Sequence, residues 1–211
     1  MRDDILLIDK PVGFSSFQIV RILKKRYQKV GHAGTLDPFA SGLLIILIGR
    51  ATKQFTAMQT RDKEYSGEMV LGRSTDTYDI SGTWKQESCR VEDFTLDTLN
   101  EIGTRFTGEI EQIPPRFSAL KVGGKKMYEL SRKGTSVLAR RRRVFVHSFT
   151  LTAINERMVR FNAVVGKGVY IRSLAHDFGI SLHCGATLVS LRRTRIGEYD
   201  VSQAKKIGDL L

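Results

Sequence analysis

The sequence has little of what staples or anchors a small secreted or membrane protein. It holds two cysteines, at 89 and 184, and two isolated thiols make no disulfide framework; both read as reduced side chains. No apolar run nears the roughly 20 residues that a bilayer demands. The most apolar stretch, Leu43 to Ile48, has the length of a strand. Met1-Arg2-Asp3-Asp4 followed by a short apolar run lacks the long apolar region and the cleavage site of a signal peptide, so a cytoplasmic location is expected. The four prolines, at 11, 38, 114 and 115, build no linker, and there is no repeat or low-complexity segment. A single domain spanning 1–211 follows as the simplest reading.

Chemical signatures are missing too. The histidines, at 32, 147, 176 and 183, include no pair at ligand spacing beside a third ligand, so no metal is expected. The glycine-rich segment at 31–42 is not followed by the Gly-Lys-Ser/Thr of a phosphate-cradling loop. Asp76 and Asp79 lack the alternating oxygen ligands and central glycine of a calcium loop. No GxSxG elbow or catalytic cysteine signature occurs, which leaves acyl transfer unsupported. A carboxylate hydrolase would need a second acid partnered with Asp37, and no clear candidate exists.

Acidic charge is in short supply. Lys and Arg total 34 against 22 Asp and Glu, a formal net charge of +12. Such a balance points to a polyanion. The competing readings are a merely soluble basic protein or an anionic membrane surface. The membrane reading needs an amphipathic basic helix, and only Ser16 to Tyr27 offers one.

Hydrophobic periodicity predicts mixed elements. Ile5 to Ile8 reads as a buried strand. Ser15 or Ser16 caps a helix that turns Phe17, Val20, Ile22 and Leu23 inward and Arg21, Lys24, Lys25 and Arg26 outward. Leu43 to Ile48, Tyr65 to Leu71, Arg143 to Leu151, Met158 to Val165 and Ala186 to Arg195 read as strands. Ala51 to Thr60, a segment from Thr95, and Tyr170 to Phe178 read as helices, the last ended by Gly179. Lys125 to Lys133 reads as a short basic helix or loop. The expected class is α+β with a mostly antiparallel sheet.

Four constellations carry special residues. Gly31-His32-Ala33-Gly34-Thr35-Leu36-Asp37-Pro38 contorts the backbone around one imidazole and one carboxylate, although its spacing alone reads equally as a turn in which Asp37 caps a helix. Lys63-Glu64-Tyr65 precedes Thr75-Asp76-Thr77-Tyr78-Asp79. Gly168-Val169-Tyr170-Ile171-Arg172 places an arginine where its planar fork can hold a carboxylate. Ile113 to Lys121, with the arginine run at 140–143, interleaves basic and aromatic residues as unstacked bases and phosphates require.

Taken together and in order, with Leu7-Ile8-Asp9-Lys10-Pro11 at the start and Leu191-Arg192-Arg193 near the end, these segments resemble the TruB family of tRNA pseudouridine-55 synthases over nearly the whole chain. The resemblance implies the pseudouridine synthase fold, a central mainly antiparallel mixed sheet flanked by helices and loops with a catalytic cleft. It implies isomerisation of uridine-55 in the T-loop of tRNA after the base is flipped out, without cofactor or metal. Asp37 matches the essential aspartate, serving as nucleophile at C1′ or C6 or as a base toward the ribose. Arg172 matches the arginine that pairs with it, and Tyr65 the tyrosine that stacks on the target base. Leu191 matches an apolar pocket wall, Lys10 a residue supporting the floor, and Asp79 a group hydrogen-bonding the flipped nucleotide. His32 matches the histidine that fills the vacated stack. Arg116, Lys121 and Tyr170 fall in segments matched to RNA binding, with an RNA-clasping insertion at about 113–143. The expected partner is the T-loop and stem of tRNA, bound by a monomer. No C-terminal PUA-like domain is expected. The other reading is a non-catalytic tRNA-binding or folding-helper protein on the same scaffold.

Overall fold

A computed structural model describes residues 4–86, 89–118, 120–122, 125–127 and 140–210. In chain order the strands and helices are β1 (Asp4–Lys10), α1 (Ser16–Leu23), β2 (Val30–Ala33), β3 (Ser41–Ile48), α2 (Phe55–Thr60), β4 (Lys63–Leu71), β5 (Arg73–Thr75), β6 (Trp84–Gln86), α3 (Leu96–Gly103), β7 (Gly108–Gln112), β8 (Lys121–Val122), β9 (Lys125–Lys126), β10 (Arg142–Asn155), β11 (Met158–Val165), α4 (Ile171–Ser181), β12 (Ala186–Ile196), β13 (Tyr199–Asp200) and β14 (Lys205–Lys206). The sheet is mixed and mainly antiparallel: β1–β3, β2–β3, β12–β13 and β7–β10 pair antiparallel, whereas β1–β14 and β3–β12 pair parallel. The chain divides into two compact units. The first comprises Met1–Gly67, Asn162–Lys167 and Ser190–Leu211, the second Glu68–Phe161 and Gly168–Val189.

The first unit is organised by β3. Its run Leu43 to Ile48 is buried on both faces, which explains why the sequence there is continuously apolar rather than alternating. Because side chains alternate along a strand, Leu44, Ile46 and Ile48 pack with Ile8, Ile19, Val20 and Leu23 on one face. Leu43, Ile45 and Leu47 pack with Ala33, Ala51, Met58 and Ile196 on the other. Each such side chain contributes about 1.5–3 kcal/mol by leaving water. At its start β3 has a strand on either edge: Gly42 lies opposite Lys10 of β1 and opposite Arg193 of β12. Gly42 has φ of +102°, and a Cβ there would overlap the backbone of Arg193. Glycine therefore lets two buried cations flank one backbone position.

Helix α1 starts at Ser15, whose hydroxyl accepts from the Gln18 amide while the Gln18 side chain accepts from the Ser15 amide. The inward face differs from the expected one. Ile19, Val20 and Leu23 are buried, whereas Phe17 is 64% exposed. At 100° per residue, Phe17 falls on the stripe of Arg21 and Lys24, opposite Ile19 and Leu23.

In the second unit α3 begins after its Thr95 cap and is fixed to β10 by Asn100, whose side-chain amide donates to the Leu151 carbonyl and accepts from the Leu151 amide, both at 2.9 Å. Phe106, Phe149, Phe161 and Phe178 meet edge-on or tilted in its core. Gly179 does not end α4, which runs to Ser181; a Cβ on Gly179 would overlap the Ala186 amide, so the glycine serves close approach within the helix. The basic segment expected at 125–133 contains the short strand β9, and apart from Met127 the rest of it, like much of the expected insertion at 113–143, lies outside the described residues.

The cysteines are a further correction. Cys89 and Cys184, 95 positions apart, form a disulfide with Cα atoms at 4.9 Å. Nothing in their separation along the chain reveals that the turn after α4 carries Cys184 to Cys89. Closing a loop of this length restricts the unfolded chain and stabilises by about 2–4 kcal/mol. Unreduced, unfolded protein should therefore show no free thiol on titration, and Cys184→Ser or added reductant should lower Tm by roughly 5–15 °C. Two titratable thiols per chain would overturn the pairing.

Candidate active site

The Asp37 loop is held residue by residue. Arg193 donates to the carbonyls of Gly34 at 3.1 Å and Thr35 at 3.4 Å, and through Nε to Leu43 at 2.8 Å. Ser16 Oγ accepts from the Leu36 amide at 2.8 Å and lies 3.1 Å from the Leu36 carbonyl, to which it donates. The Asp37 carbonyl accepts from Ala40, and the Pro38 carbonyl accepts from Gly13 at 2.7 Å. No helix follows Asp37, so the aspartate does not cap one. It sits half-buried on a backbone whose every unit from Gly34 to Pro38 has a partner.

Beneath this loop lie cations withdrawn from water. Lys10 is 0% exposed and Arg193 1%. Lys10 Nζ donates to the carbonyls of Pro11 and Phe14 at 2.9 and 2.6 Å, closing the turn between β1 and α1. Burial lowers its pKa to about 8; the Asp37 carboxylate works against that shift and the Arg193 charge adds to it. Lys63 is likewise buried and lowered to about 8, mainly by desolvation and then by Arg193; its ammonium donates to the carbonyls of Gln59 and Arg61. Asp37 is thus a carboxylate among buried cations. Arg193 also reaches the Tyr65 hydroxyl at 3.5 Å, linking the phenol on β4 to the Asp37 loop. Leu191 is buried two residues before it on β12, and His32 is half-buried on β2 opposite Ile46. Asp9, beside Lys10, takes both ends of the Arg192 fork at 3.0 and 2.8 Å.

The second unit contains Arg172, 4% exposed at the start of α4. Its guanidinium faces Asp79 at 3.2 Å and donates to the carbonyls of Thr77 at 3.1 Å and Phe117 at 2.9 Å. Asp79 is buried as well, and its carboxylate accepts from the Thr77 hydroxyl and from the Ser81 amide and hydroxyl. Two of the expected site residues, Arg172 and Asp79, are therefore one buried ion pair. Between Thr77 and Asp79, Tyr78 takes a left-handed conformation with φ of +65°, uncommon for a bulky side chain. It is held there by the Leu188 amide, which donates to its carbonyl at 3.1 Å within a parallel bridge between Asp79 and Leu188, and by stacking on His176 at 3.7 Å. Next to His176, burial raises Asp177 to about pKa 6, with Arg141 opposing.

Tyr170, immediately before Arg172's helix, is clamped by Gln112: its amide donates to Oε1 at 2.8 Å and its carbonyl accepts from Nε2 at 3.1 Å. The Arg142 guanidinium lies over its ring at 4.7 Å. Arg116 is exposed, and the side chain of Lys121 lies outside the description. Among the described residues no group of three or more His, Cys, Asp or Glu is placed to hold a metal ion, and no helix is long and apolar enough to cross a membrane. Sequence reasoning missed Ser16, Lys63, Gln112 and Arg193. All four are buried and need polar partners there, but Gln112, Lys63 and Arg193 stand among other polar residues, so the sequence does not mark them as buried.

Comparison with known proteins follows the same lines. Residues 21–171 match the TruB family pseudouridylate synthase (N terminal domain), and residues 172–211 match the tRNA pseudouridylate synthase B C-terminal domain. A tRNA pseudouridine synthase B of Chloroherpeton thalassium is 41% identical over 215 residues, covering 99% of this chain and 89% of that protein. Its counterpart from Chlamydia abortus is 45% identical over 206 residues, covering 96% and 86%. Among solved structures, a Cbf5-Nop10-Gar1 complex contains a chain with 32% identity and a TM-score of 0.75, of which this chain spans 53% while 98% of its own length is covered. In an H/ACA RNP bound to a substrate RNA containing 2′-deoxyuridine the values are 29%, 0.72, 51% and 98%. With sequence motifs, fold and near full-length identity in agreement, the chain belongs to the TruB family of pseudouridylate synthases.

Proposed function

We propose that this protein converts uridine-55 in the T-loop of tRNA to pseudouridine, with Asp37 as the catalytic carboxylate. The observation that carries the reading is the Asp37 loop, fixed at every backbone unit from Gly34 to Pro38, with Asp37 half-buried and its charge acting on buried Lys10. Catalysis rewards such fixed geometry, because a misplacement of about 1 Å costs orders of magnitude in rate. The relatives' name supports the substrate and the reaction.

In this isomerisation the bond from uracil N1 to ribose C1′ breaks and one from C5 to C1′ forms. The proton lost from C5 is balanced by one gained at N1. Atoms and oxidation state are unchanged, so the chemistry calls for no redox or group-transfer cofactor and no metal. Asp37 serves as nucleophile or as base. Tyr65 stacks on the base, with its hydroxyl steadied by Arg193. Leu191 walls the pocket and Lys10 supports its floor. Arg172, with Asp79 holding its guanidinium, completes the catalytic set. Reaching the base means flipping it out at a cost of a few kcal/mol, and His32 offsets part of this by filling the gap. Arg116, Lys121 and Tyr170 contact the RNA loop, and the enzyme acts as a cytoplasmic monomer.

Incubating the protein with an unmodified tRNA transcript and mapping pseudouridine chemically tests the assignment. Wild type should modify the T-loop uridine. Asp37→Asn should yield no product yet bind tRNA as wild type does. Equal product from both would end the reading, and loss of binding together with product would move Asp37 from chemistry to recognition.

The charge balance gives a second expectation. Folded Lys10 releases its proton near pH 8, whereas the unfolded side chain does so near the ordinary 10.5. Between these values the unfolded chain binds more protons, so this group makes stability rise with pH there; below pH 8 the full cost of the buried charge is present. Asp37→Asn removes the opposing carboxylate and should drive the Lys10 titration, followed by NMR of labelled lysine, below 8. A Lys10 that titrates near 10.5 in wild type would overturn this picture.

A further inference from the structure

The inner side of helix α1 and of the turn before it supports the site described above, while their outer surface has no part in it and is unusual. From Pro11 to Leu36 the chain contains no acidic residue and five Lys or Arg, at 21, 24, 25, 26 and 29. The apolar face of α1 is already consumed: Ile19 and Leu23 are at most 2% exposed against β1 and β3. A helix whose apolar stripe is buried in its own core has nothing left to insert into lipid, which removes the reading as an amphipathic membrane helix. What faces outward is Phe17, Arg21, Lys24 and Lys25, four exposed residues at helical spacing that form one stripe about 10 Å long or slightly more. At the N-terminal end of that stripe Val12 and Phe14 are exposed too.

The stripe is continuous with the Asp37 loop. Gly13 donates to the Pro38 carbonyl at 2.7 Å, Ser16 holds Leu36, and buried Lys10 fastens the Phe14 carbonyl at 2.6 Å. The turn bearing Val12 and Phe14 is thus stitched to the segment that carries the carboxylate. An exposed phenyl ring followed by a row of cations is what an RNA strand demands, a face for an unstacked base or sugar and charges for successive phosphates.

We propose that the outer stripe of α1, Phe17-Arg21-Lys24-Lys25, together with the Val12–Phe14 turn, is an RNA-binding surface that leads substrate RNA to the Asp37 loop. The inference rests on the function proposed above and adds a binding surface to it. Arg21, Lys24 and Lys25 take phosphates, and Phe17 packs on a base or ribose. These side chains contribute to affinity and not to the chemical step, since none of them belongs to the Asp37 loop.

The test uses the full chain and an unmodified tRNA transcript. The triple variant Arg21→Gln, Lys24→Gln, Lys25→Gln should raise Kd about tenfold or more at moderate salt and flatten the dependence of log Kd on log salt by about two to three units, while the single-turnover rate at saturating enzyme stays within about twofold of wild type. Phe17→Ala should weaken binding about fivefold or more without changing the salt slope. A control triple, Lys53→Gln, Lys205→Gln, Lys206→Gln, removes the same charge from other exposed positions and should lose clearly less affinity. Wild-type Kd and slope in the α1 triple would overturn the proposal, and so would an equal loss in the control. Loss of binding to phosphatidylserine-containing vesicles with tRNA affinity intact would instead assign the face to a membrane. If wild type makes no pseudouridine, the proposed function fails by itself, and the affinity measurements still decide whether this face holds RNA.

Discussion

A guanidinium removed from water must find acceptors, and in the first unit this constraint shapes the site. Arg193 has carbonyls from two segments, Gly34-Thr35 and Leu43, around one planar fork, with the Tyr65 hydroxyl at its edge. Each hydrogen bond to a charged donor is worth about 1.5–3 kcal/mol net. Burying the ion costs several kcal/mol. The two sums are similar, so Arg193 adds little to global stability. What it supplies is relative position: the loop before Asp37, the start of β3 and the phenol on β4 share a single rigid donor. Gly42 makes this possible, because only a residue without a side chain lets β12 bring Arg193 that close.

The second unit solves the same problem with the opposite charge present. Arg172 gathers the Thr77 and Phe117 carbonyls as Arg193 gathers those of its own unit, and Asp79 supplies a counter-charge in direct contact. Asp79 is in turn saturated by Thr77 and Ser81. A carboxylate so fully engaged has its geometry fixed before any substrate arrives. The left-handed Tyr78 is a consequence: the chain must reverse within one residue to present both the Thr77 carbonyl and the Asp79 carboxylate to one guanidinium.

The sequence disclosed elements whose signals are local. A cap at Ser15 or Ser16, a helix start at Thr95, the apolar run of β3 and the glycine-rich Asp37 loop are all legible, as is the family from six ordered motifs. The failures have one origin. Its apolar side chain suggests an inward Phe17, whereas a strict 100° wheel puts it with Arg21. Gly179 reads as a helix stop, whereas its role is close packing against Ala186, a contact 7 residues away that no local rule encodes. The Cys89–Cys184 bridge and the partners of Lys63, Gln112 and Arg193 join segments from 2 to 159 positions apart. The contact of Asp79 with Arg172 is invisible to the sequence because ion-pair geometry is not written in spacing.

The same distinction refines what the net charge means. An excess of basic residues argues for a polyanion only as far as those residues face solvent. Lys10, Lys63, Arg172 and Arg193 do not: all four are buried and spend their donors on backbone carbonyls. They hold loops. Other cations are neutralised at the surface, as Arg160 is by Glu68 and Arg192 by Asp9. The attraction for RNA must then come from exposed cations that lack nearby acids in the chain. Between Pro11 and Leu36, where the chain has no acidic residue, that condition singles out Arg21, Lys24 and Lys25, on the side of the helix left to water while the apolar side is sealed into the core. Composition states that a polyanion is expected; burial states which lysines and arginines are free to meet it.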